Sequence, residues 1–261
     1  KRNLRQFDVV HVHSWEQFPD ILVHHYATKY GVPYVLQAHG SIPRIMTKKK
    51  LKWIYSVLFG HNILRDASKV VALSQAEARQ DKCAGVPDEK IAVIPNGVDL
   101  SEFVDLPQKG SFKKKHSIDE KVVLYLGRIH EIKGIDILVG GFANVLDKLD
   151  DVKLVIAGPD YGYLRRLEAL IKAMHLEDSV LISGPLYGRD KLEAYVDADV
   201  YVLPSRYEMF PMAVLEAIAC RTPVLLTENC GAVEHFRDKV GFGVGLSADD
   251  ISEALLRILL D

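Results

Sequence analysis

Two glutamates, Glu208 in a predicted loop and Glu216 in a predicted helix, bracket the start of that helix, with seven residues between them and Pro211 in the interval. Pro211 suits the first position of a helix, where its missing N–H costs nothing. No Ser, Thr, Asp or Asn precedes it as a cap, so the first amides of that helix are open to an anionic ligand. A carboxylate in a mostly apolar helix is costly without a partner. Ligand hydroxyl groups could partner Glu216; alternatively, it pairs with an arginine or a backbone group and Glu208 is a solvated loop charge.

Two cations five residues apart follow another apolar run. Gly127 lets the backbone approach a ligand, and Arg128 and Lys133 stand in the turn before a predicted helix. A diphosphate suits this turn, because Arg offers a planar pair of donors and Lys a point charge. The alternative is a solvated loop with two surface cations. Neither G-x-G-x-x-G nor G-x-x-x-x-G-K-[ST] occurs, which counts against a dehydrogenase and a P-loop NTPase.

These candidate residues follow strands in an alternating strand–helix pattern. Continuous Val/Ile/Leu runs predict strands over 7–13, 34–38, 69–73, 90–94, 122–126, 153–157, 180–183, 200–203 and 224–226. Helices are predicted over 19–30, from about 53 to 66, over 75–83 with Ser74 as N-cap and Glu77 as its capping-box partner, and near 135–149, 161–175, 189–197, 211–220, 230–237 and 249–260. The pattern predicts an α/β fold with doubly wound parallel sheets, in which ligands bind beyond the carboxyl ends of strands.

The domain division is predicted from a break in the apolar pattern. The stretch 104–119 loses its periodicity and contains a proline, a glycine and three consecutive lysines, which favours a linker. We expect an incomplete first Rossmann-like domain over 1–104, a linker over 105–119 and a second Rossmann-like domain over 120–261, with a cleft between the domains. The first half begins in mid-pattern and the last helix has no cap, so we expect both ends to be truncated.

The composition excludes several classes of protein. With 261 residues, 48% hydrophobic and 26% charged, the chain is neither disordered nor collagen-like. A net charge of −2 argues against a generic nucleic-acid binder. Three cysteines form no disulfide framework, and no apolar run approaches the roughly 18 residues of a spanning helix. No signal peptide is visible, so we expect a reducing, cytoplasmic location.

Other polar groups have simpler interpretations. Asp197 and Asp199 could suggest a metal-binding D-x-D, but helix termination and turn chemistry fit them better. The histidine pairs His11/His13 and His24/His25 lack a third ligand at metal spacing, so no metal is assigned. His39 follows a strand and is a candidate ligand contact, although a lone histidine is more often structural. A basic run, 44–52, precedes the apolar residues 53–59, and this combination could contact an anionic membrane surface at the inner face. The preferred alternative is that the basic run is a solvated loop and the apolar residues belong to a core-facing helix.

Taken in order, these motifs resemble the retaining group-1 (family 4) nucleotide-sugar glycosyltransferases, which have the GT-B fold. The resemblance covers nearly the whole chain. It is carried by the segments DVVHVH at 8–13, His39-Gly40, IPNGVD at 94–99 with Phe103, LGR at 126–128 with Lys133-Gly134, Ala157-Gly158, Gly184, and the E-x7-E element from Glu208 to Glu216.

The resemblance implies a nucleotide-diphosphate sugar as donor substrate, a hydroxyl acceptor, no separate cofactor and no metal. Arg128 and Lys133 would hold the diphosphate, Glu216 the ribose hydroxyls and Glu208 the sugar. His39 would contact the transferred sugar from the acceptor-side domain. The donor-side contacts expected by the resemblance are completed by Gly127, by Gly184 to Tyr187 beside the base, and by the turn Phe210, Pro211, Met212 and Ala213 near sugar or phosphate.

Some residues depart from the family pattern. Arg221 replaces the glycine usual after Ala-Cys, Met209 stands where a small residue is common, and Pro211 replaces a glycine and removes one amide donor. A GT-B-like epimerase or phosphorylase, and a non-catalytic module that binds a nucleotide sugar or a partner protein, are the alternatives to a glycosyltransferase.

Overall fold

The computed structural model describes residues 4–13, 15–42, 53–236 and 241–260. The chain divides into two compact units, Lys1–Asn96 and Gly97–Asp261, and each contains one parallel β-sheet. The predicted α/β class with two parallel sheets is therefore confirmed. The division falls before the predicted boundary at residue 104.

The first unit is built on a four-stranded sheet with strand order β1-β2-β3-β4. Buried apolar residues of the strands, such as Leu36 and Val70, form its core with Trp15 and the helices. Gly31 ends the first helix in a left-handed conformation, as the sequence predicts. The elements are β1 (Val10–Val12), α1 (Phe18–Tyr30), β2 (Tyr34–Gln37), a π-helical turn (Ser56–Gly60), α2 (His61–Asp66), β3 (Lys69–Ala72), α3 (Gln75–Cys83) and β4 (Ile91–Val93), with 3-10 turns at Leu4–Gln6 and Asp88–Lys90.

The start of α3 differs from prediction in one respect. Ser74 caps the helix, because its hydroxyl accepts from the Glu77 N–H at 3.2 Å. The Glu77 carboxylate does not complete a capping box; it accepts instead from the backbone N–H groups of Leu73 (2.7 Å) and Gly40 (2.5 Å). Glu77 is buried, and a buried carboxylate needs such donors. It therefore ties the loop after β2 to the helix.

The second unit is built on a six-stranded parallel sheet with strand order β10-β9-β8-β5-β6-β7. Its elements are α4 (Ser111–His116), β5 (Lys121–Leu126), α5 (Ile135–Leu146), β6 (Val152–Ala157), α6 (Leu164–Ala173), β7 (Val180–Gly184), α7 (Gly188–Asp197), β8 (Val200–Leu203), α8 (Met212–Ala219), β9 (Val224–Thr227), α9 (Val233–Phe236), β10 (Gly241–Val244) and α10 (Ala248–Leu260), with 3-10 turns at Leu100–Phe103 and Glu131–Lys133. The strand order reverses at β5, which pairs with β6 on one side and β8 on the other. The carboxyl ends of β5 and β8 are consequently neighbours, the usual position of a ligand site in such sheets.

The predicted linker over 105–119 contains a helix that belongs to the second unit. α4 packs on α7, and its Phe112 is buried. The Asp197 carboxylate accepts from the N–H groups of Gly110 (2.5 Å) and Lys113 (2.9 Å) at the start of α4. Asp199 accepts from Val122 N–H at 2.7 Å. Both carboxylates therefore have structural partners, but these lie at the starts of α4 and β5 and not in the local turn that was predicted. The run of lysines concealed a helix with one core residue.

Two further differences concern apolar residues. β10 was not predicted, because its sequence GFGV contains two glycines and resembles a loop. The segment 53–59 was expected to face the core, but Trp53 and Leu58 are 55% and 59% exposed, and Ile54, Val57 and Phe59 are exposed as well. The basic run 44–52 lies outside the described residues. Within the described part, no helix is long and apolar enough to cross a membrane.

Candidate functional site

The loops after β5 and β8 form one tightly packed surface. Gly134, at the end of the β5 loop, has φ of +65°, and a Cβ there would lie 2.1 Å from the carbonyl oxygen of Pro204. Arg206 N–H donates to the carbonyl of Ile132 at 2.8 Å. At position 134 only glycine, which has no Cβ, permits the close approach to the Pro204 carbonyl. The packing fixes residues 127–134 against residues 204–211, the two segments that carry most of the predicted site.

Arg206 fastens these loops through its side chain. Its guanidinium donates to both carboxylate oxygens of Asp136, at 2.8 and 2.6 Å, and to the Glu131 carbonyl at 2.7 Å. Burial opposes ionisation of Asp136, but the hydrogen bonds and charge of Arg206 outweigh it and hold the pKa of Asp136 below its ordinary value. No local sequence pattern indicates this pair, because its members are 70 residues apart.

Lys133 and Glu208 form an ion pair at the centre of this surface. The Lys133 ammonium donates to Glu208 Oε2, and the two side chains are 11% and 20% exposed. Lys133 is thus directed at the Glu208–Glu216 turn, as the diphosphate hypothesis requires, and not at bulk solvent. A cation beside a carboxylate can receive a ligand that carries both a phosphate and hydroxyl groups.

Arg128 lies on the same loop and is exposed. Its guanidinium stands over the Tyr161 ring, 5.2 Å from the ring centroid. Its carbonyl accepts from the Tyr125 hydroxyl at 2.8 Å. Burial raises the pKa of Tyr125, and the charge of Glu208 raises it further while Arg128 opposes the rise. Both charges therefore act on one buried hydroxyl group beneath the loop.

Gly127 brings two loops together next to Arg128. A Cβ on Gly158 would lie 1.8 Å from the Gly127 carbonyl oxygen, and a Cβ on Gly127 would lie 3.0 Å from the Tyr125 hydroxyl. The close approach predicted for Gly127 is made by protein groups in this structure. Contact of Gly127 with a ligand remains a prediction.

The start of α8 carries the predicted open amides. Pro211 occupies the cap position with φ −79° and ψ 120°, and no side chain caps the helix there. The prediction of Pro211 as the first helical residue was wrong by one position: α8 begins at the exposed Met212, followed by the half-buried Ala213. Phe210 is buried near His235 and Phe236, so its side chain fixes the turn by packing.

Glu216 has protein partners. Its Oε1 accepts from Lys191 Nζ at 2.8 Å and its Oε2 from the Tyr195 hydroxyl at 3.2 Å. Both donors come from α7. This is the structural alternative considered for Glu216, with lysine and tyrosine in the place of the expected arginine or backbone group. The sequence contained one usable signal: Lys191 and Tyr195 are four residues apart and so share a helix face.

Gly184 and Tyr187 lie beyond β7, at the edge of the sheet. Gly184 has φ of +76°, and its carbonyl accepts from Gly158 N–H at 2.9 Å. Tyr187 immediately precedes α7 and is 71% exposed. An exposed aromatic ring at this position is available to a planar ligand.

His39 belongs to the first unit. It has φ of +51°, and its Nε2 lies 3.0 Å from Nδ1 of His13. The centroid of the His13 ring lies 3.9 Å from that of His11, with the two ring planes tilted by 39°. Burial, followed by the neighbouring His13, lowers the pKa of His39. Sequence reasoning considered His11 and His13 only as metal ligands and missed this cluster. Among the described residues, no group of three or more His, Cys, Asp or Glu side chains is arranged to hold a metal ion.

Comparison with protein families identifies the second half of the chain. Residues 108–261 match the family model "Glycosyl transferases group 1", which is more than half of the sequence. The chain belongs to the group 1 glycosyltransferases. Residues 1–102 of this glycosyltransferase match the model "Glycosyltransferase Family 4". The two matches follow the two compact units closely.

Curated relatives of this glycosyltransferase carry transferase or synthase names. It is 29% identical over 98% of its length to D-inositol 3-phosphate glycosyltransferase of Kineococcus radiotolerans. It is 32% identical over 56% of its length to mannosylfructose-phosphate synthase of Agrobacterium fabrum, of which the match covers 34%. The chain spans 64% of the Kineococcus protein.

Solved structures share the fold of this glycosyltransferase. The Anabaena protein Alr3699/HepE in complex with UDP superposes with a TM-score of 0.87 at 21% identity, over 100% of this chain and 71% of that one. Sucrose-phosphate synthase from Thermosynechococcus elongatus superposes with a TM-score of 0.82 at 25% identity, over 98% of this chain and 65% of that one. The predicted GT-B fold is thereby confirmed.

Proposed function

We propose that this group 1 glycosyltransferase transfers a sugar from a nucleotide-diphosphate donor to a hydroxyl group of an acceptor, with retention of the anomeric configuration. The observation that supports this most strongly is the Lys133–Glu208 ion pair, together with the uncapped start of α8, which begins four residues after Glu208. A cation and open amides suit a diphosphate, and the adjacent carboxylate suits sugar hydroxyl groups.

In this proposal the leaving diphosphate is stabilised by charge. As the bond from the anomeric carbon to the phosphate oxygen breaks, negative charge grows on the diphosphate and the sugar becomes oxocarbenium-like. Arg128, Lys133 and the amides of Met212 and Ala213 stabilise that charge, which is usually the largest catalytic contribution. With two cations available for the phosphates, we propose transfer without a resident metal.

Retention follows if attack occurs on the face from which the diphosphate departs. The acceptor oxygen bonds to the anomeric carbon, and its proton passes to the leaving phosphate oxygen. Glu208 and Glu216 each accept from a lysine. We assign Glu208 to the sugar and Glu216 to the ribose, as carboxylates that accept from hydroxyl groups rather than as the acid and base of a hydrolase.

The remaining contacts are assigned by position. Gly184 and Tyr187 would border the base, because the exposed Tyr187 ring offers a stacking surface. Gly127, Phe210 and Pro211 would shape the diphosphate-binding turn, and His39 would contact the transferred sugar. The assignments in the second unit rest on the family resemblance together with the local geometry described above, and that of His39 rests on the family resemblance alone.

A donor screen and a transfer assay test the proposal. UDP-, GDP- and ADP-sugars should raise the melting temperature of the full-length protein, since a ligand specific to the folded state stabilises it. Proton NMR of the product should show the donor's anomeric configuration. Lys133→Ala should lower kcat by about 100-fold or more, whereas Lys148→Ala, at an exposed lysine, should not.

Other outcomes would identify the alternatives. Epimerised sugar or phosphorolysis without transfer would establish an epimerase or phosphorylase. Donor binding without turnover by the full-length protein would establish a binding module. Full activity of Lys133→Ala would remove Lys133 from the mechanism.

We also propose peripheral contact with an anionic membrane surface at the inner face of a cytoplasmic enzyme. The exposed apolar side chains of 53–59 and the basic sequence of 44–52 support it. Sedimentation with vesicles containing phosphatidylglycerol tests it: binding should fall when Trp53 and Leu58 are replaced by Ser. Equal sedimentation with and without vesicles would contradict it.

A further inference from the structure

We infer that Lys191 and Tyr195 are positioning residues that fix the Glu216 carboxylate to recognise both hydroxyl groups of a ribose cis-diol. The inference rests on the proposed function, in which Glu216 binds the ribose of the nucleotide. It adds two residues of α7 to that site and makes the discrimination between ribonucleotides and deoxyribonucleotides depend on them.

Each oxygen of the Glu216 carboxylate has its own donor. Lys191 Nζ donates to Oε1 at 2.8 Å and the Tyr195 hydroxyl to Oε2 at 3.2 Å. A carboxylate held at one oxygen can still turn about its last bond. Held at both, it has one orientation, which is the requirement for a preorganised binding group.

The two donors leave acceptor capacity on both oxygens. An ionised carboxylate has about four lone-pair positions, and the protein donors use two of them. One position per oxygen therefore remains, and Glu216 is partly exposed, so a ligand can reach it. Two adjacent acceptors at a fixed spacing match two vicinal hydroxyl groups.

The supports of this arrangement are themselves rigid. Tyr195 is fully buried, and its carbonyl accepts from the Thr222 hydroxyl at 2.6 Å. Burial raises the pKa of Tyr195, so the phenol keeps the proton that it donates. Lys191 is three-quarters buried and supplies the positive charge that a partly buried carboxylate requires.

This geometry predicts selectivity for an intact cis-diol. A nucleotide lacking one hydroxyl group would leave one oriented acceptor of Glu216 without a donor, and an unpaired polar group in a site costs binding free energy. Without Lys191 the carboxylate can turn so that one oxygen satisfies the remaining hydroxyl. Removing Lys191 should therefore weaken the discrimination more than it weakens overall binding.

Calorimetric titration of the full-length protein tests the inference. UDP, GDP and ADP are titrated first, and the diphosphate that binds is then compared with its 2′-deoxy form. Wild-type protein should bind the ribonucleotide at least about 10-fold more tightly than the 2′-deoxy form. Glu216→Gln and Lys191→Met should each reduce that ratio to about 3 or less, with a smaller reduction for Tyr195→Phe.

Matched variants separate positioning from a general effect on folding. Lys191→Arg keeps the charge and should retain most of the discrimination. Arg189→Met removes a cation from the same helix at a 63% exposed side chain and should leave the ratio unchanged. Melting temperatures of all variants check that the second unit is folded.

The outcomes distinguish the inference from the proposed function. If Glu216→Gln loses the discrimination but Lys191→Met keeps it, the positioning role is overturned while nucleotide binding stands. If wild-type protein binds both forms equally, Glu216 does not read the diol and the inference is overturned. If wild-type protein binds none of the three diphosphates, the proposed function falls as well.

Discussion

Asp81 should make the stability of the first unit depend on pH in an unusual direction. Its side chain is buried on α3, and one of its carboxylate oxygens has no hydrogen-bond partner among the described residues. Burial, reinforced by the charge of Glu77, raises the pKa of Asp81 from 3.8 to about 8. At neutral pH the folded protein therefore holds a proton that the unfolded chain has released.

The size of the effect follows from this shift. The contribution of Asp81 to stability is fully present below pH 4, is lost as the pH rises, and is gone above pH 8. Between the two pKa values one such group changes the free energy of unfolding by about 1.4 kcal/mol per pH unit at most. From pH 5 to pH 7 the loss should be about 1–3 kcal/mol. Asp81→Asn, whose amide does not ionise, should lack this loss.

Tryptophan fluorescence can measure this unit by itself. The sequence has 2 tryptophans, and both of them, Trp15 and Trp53, lie in the first unit. Urea unfolding of wild-type protein and Asp81→Asn at pH 5, 6, 7 and 8 gives the difference in unfolding free energy at each pH. Titration of His11 and His39, whose pKa values are lowered by burial and by neighbouring histidines, contributes to both proteins and cancels in that difference.

The control is Asp88→Asn, at a side chain 65% exposed and paired with Lys82. It should leave the pH dependence almost unchanged. The reasoning is refuted if the difference between wild-type protein and Asp81→Asn is constant from pH 5 to pH 8. It is also refuted if wild-type protein gains stability relative to the variant as the pH rises.

Three further predictions concern the second unit and the cysteines. Gly134→Ala should destabilise the second unit by about 3 kcal/mol or more in thermal melts, since the new Cβ collides with a backbone carbonyl. The control is Gly162→Ala, because Gly162 also has positive φ (+88°) but open space around it. It should lower the stability by only about 1–2 kcal/mol in the same melts. Arg206→Lys should weaken nucleotide binding by about 3- to 30-fold in calorimetry through the loss of its paired hydrogen bonds, and unchanged affinity would show that the loops hold without it. Ellman's reagent at pH 8 should modify one thiol of the native protein, that of the exposed Cys83, because Cys230 is buried and its pKa is raised to about 12. In denaturant the reagent should modify all three thiols. Rapid modification of more than one native thiol would contradict this.

The sequence predicted the strands well where apolar runs were continuous. β5 and β8 have uninterrupted Val, Leu and Tyr residues, and a strand buried on both faces leaves such a run. β10 and α4 escaped prediction because their local sequences, GFGV and SFKKKH, resemble a loop and a linker. Their structure is decided by distant partners, the neighbouring strand β9 and the carboxylate of Asp197.

The candidate site likewise has a part that the local sequence predicts and a part that depends on tertiary packing. Lys133 and Glu208 could each be placed after a predicted strand, at the edge of the sheet where ligands bind. That β5 and β8 are neighbours was not predicted and is known from their pairing. The partners of Glu216 could not be predicted, since which face of α7 meets α8 depends on tertiary packing. The histidine cluster was equally hidden: His13 and His39 are 26 residues apart and meet only because β1 pairs with β2.

The order of strands in the second sheet has a consequence for how this enzyme's specificity can diverge. β5 and β8 are interior strands, and their loops hold Lys133, Glu208 and Gly134, where a Cβ would collide with the Pro204 carbonyl. β7 is an edge strand, and the Tyr187 side chain beyond it is 71% exposed. If Tyr187 borders the nucleobase, as proposed above, substitutions there can alter the preference for one base at little structural cost, while the proposed diphosphate contacts stay in the packed loops after β5 and β8.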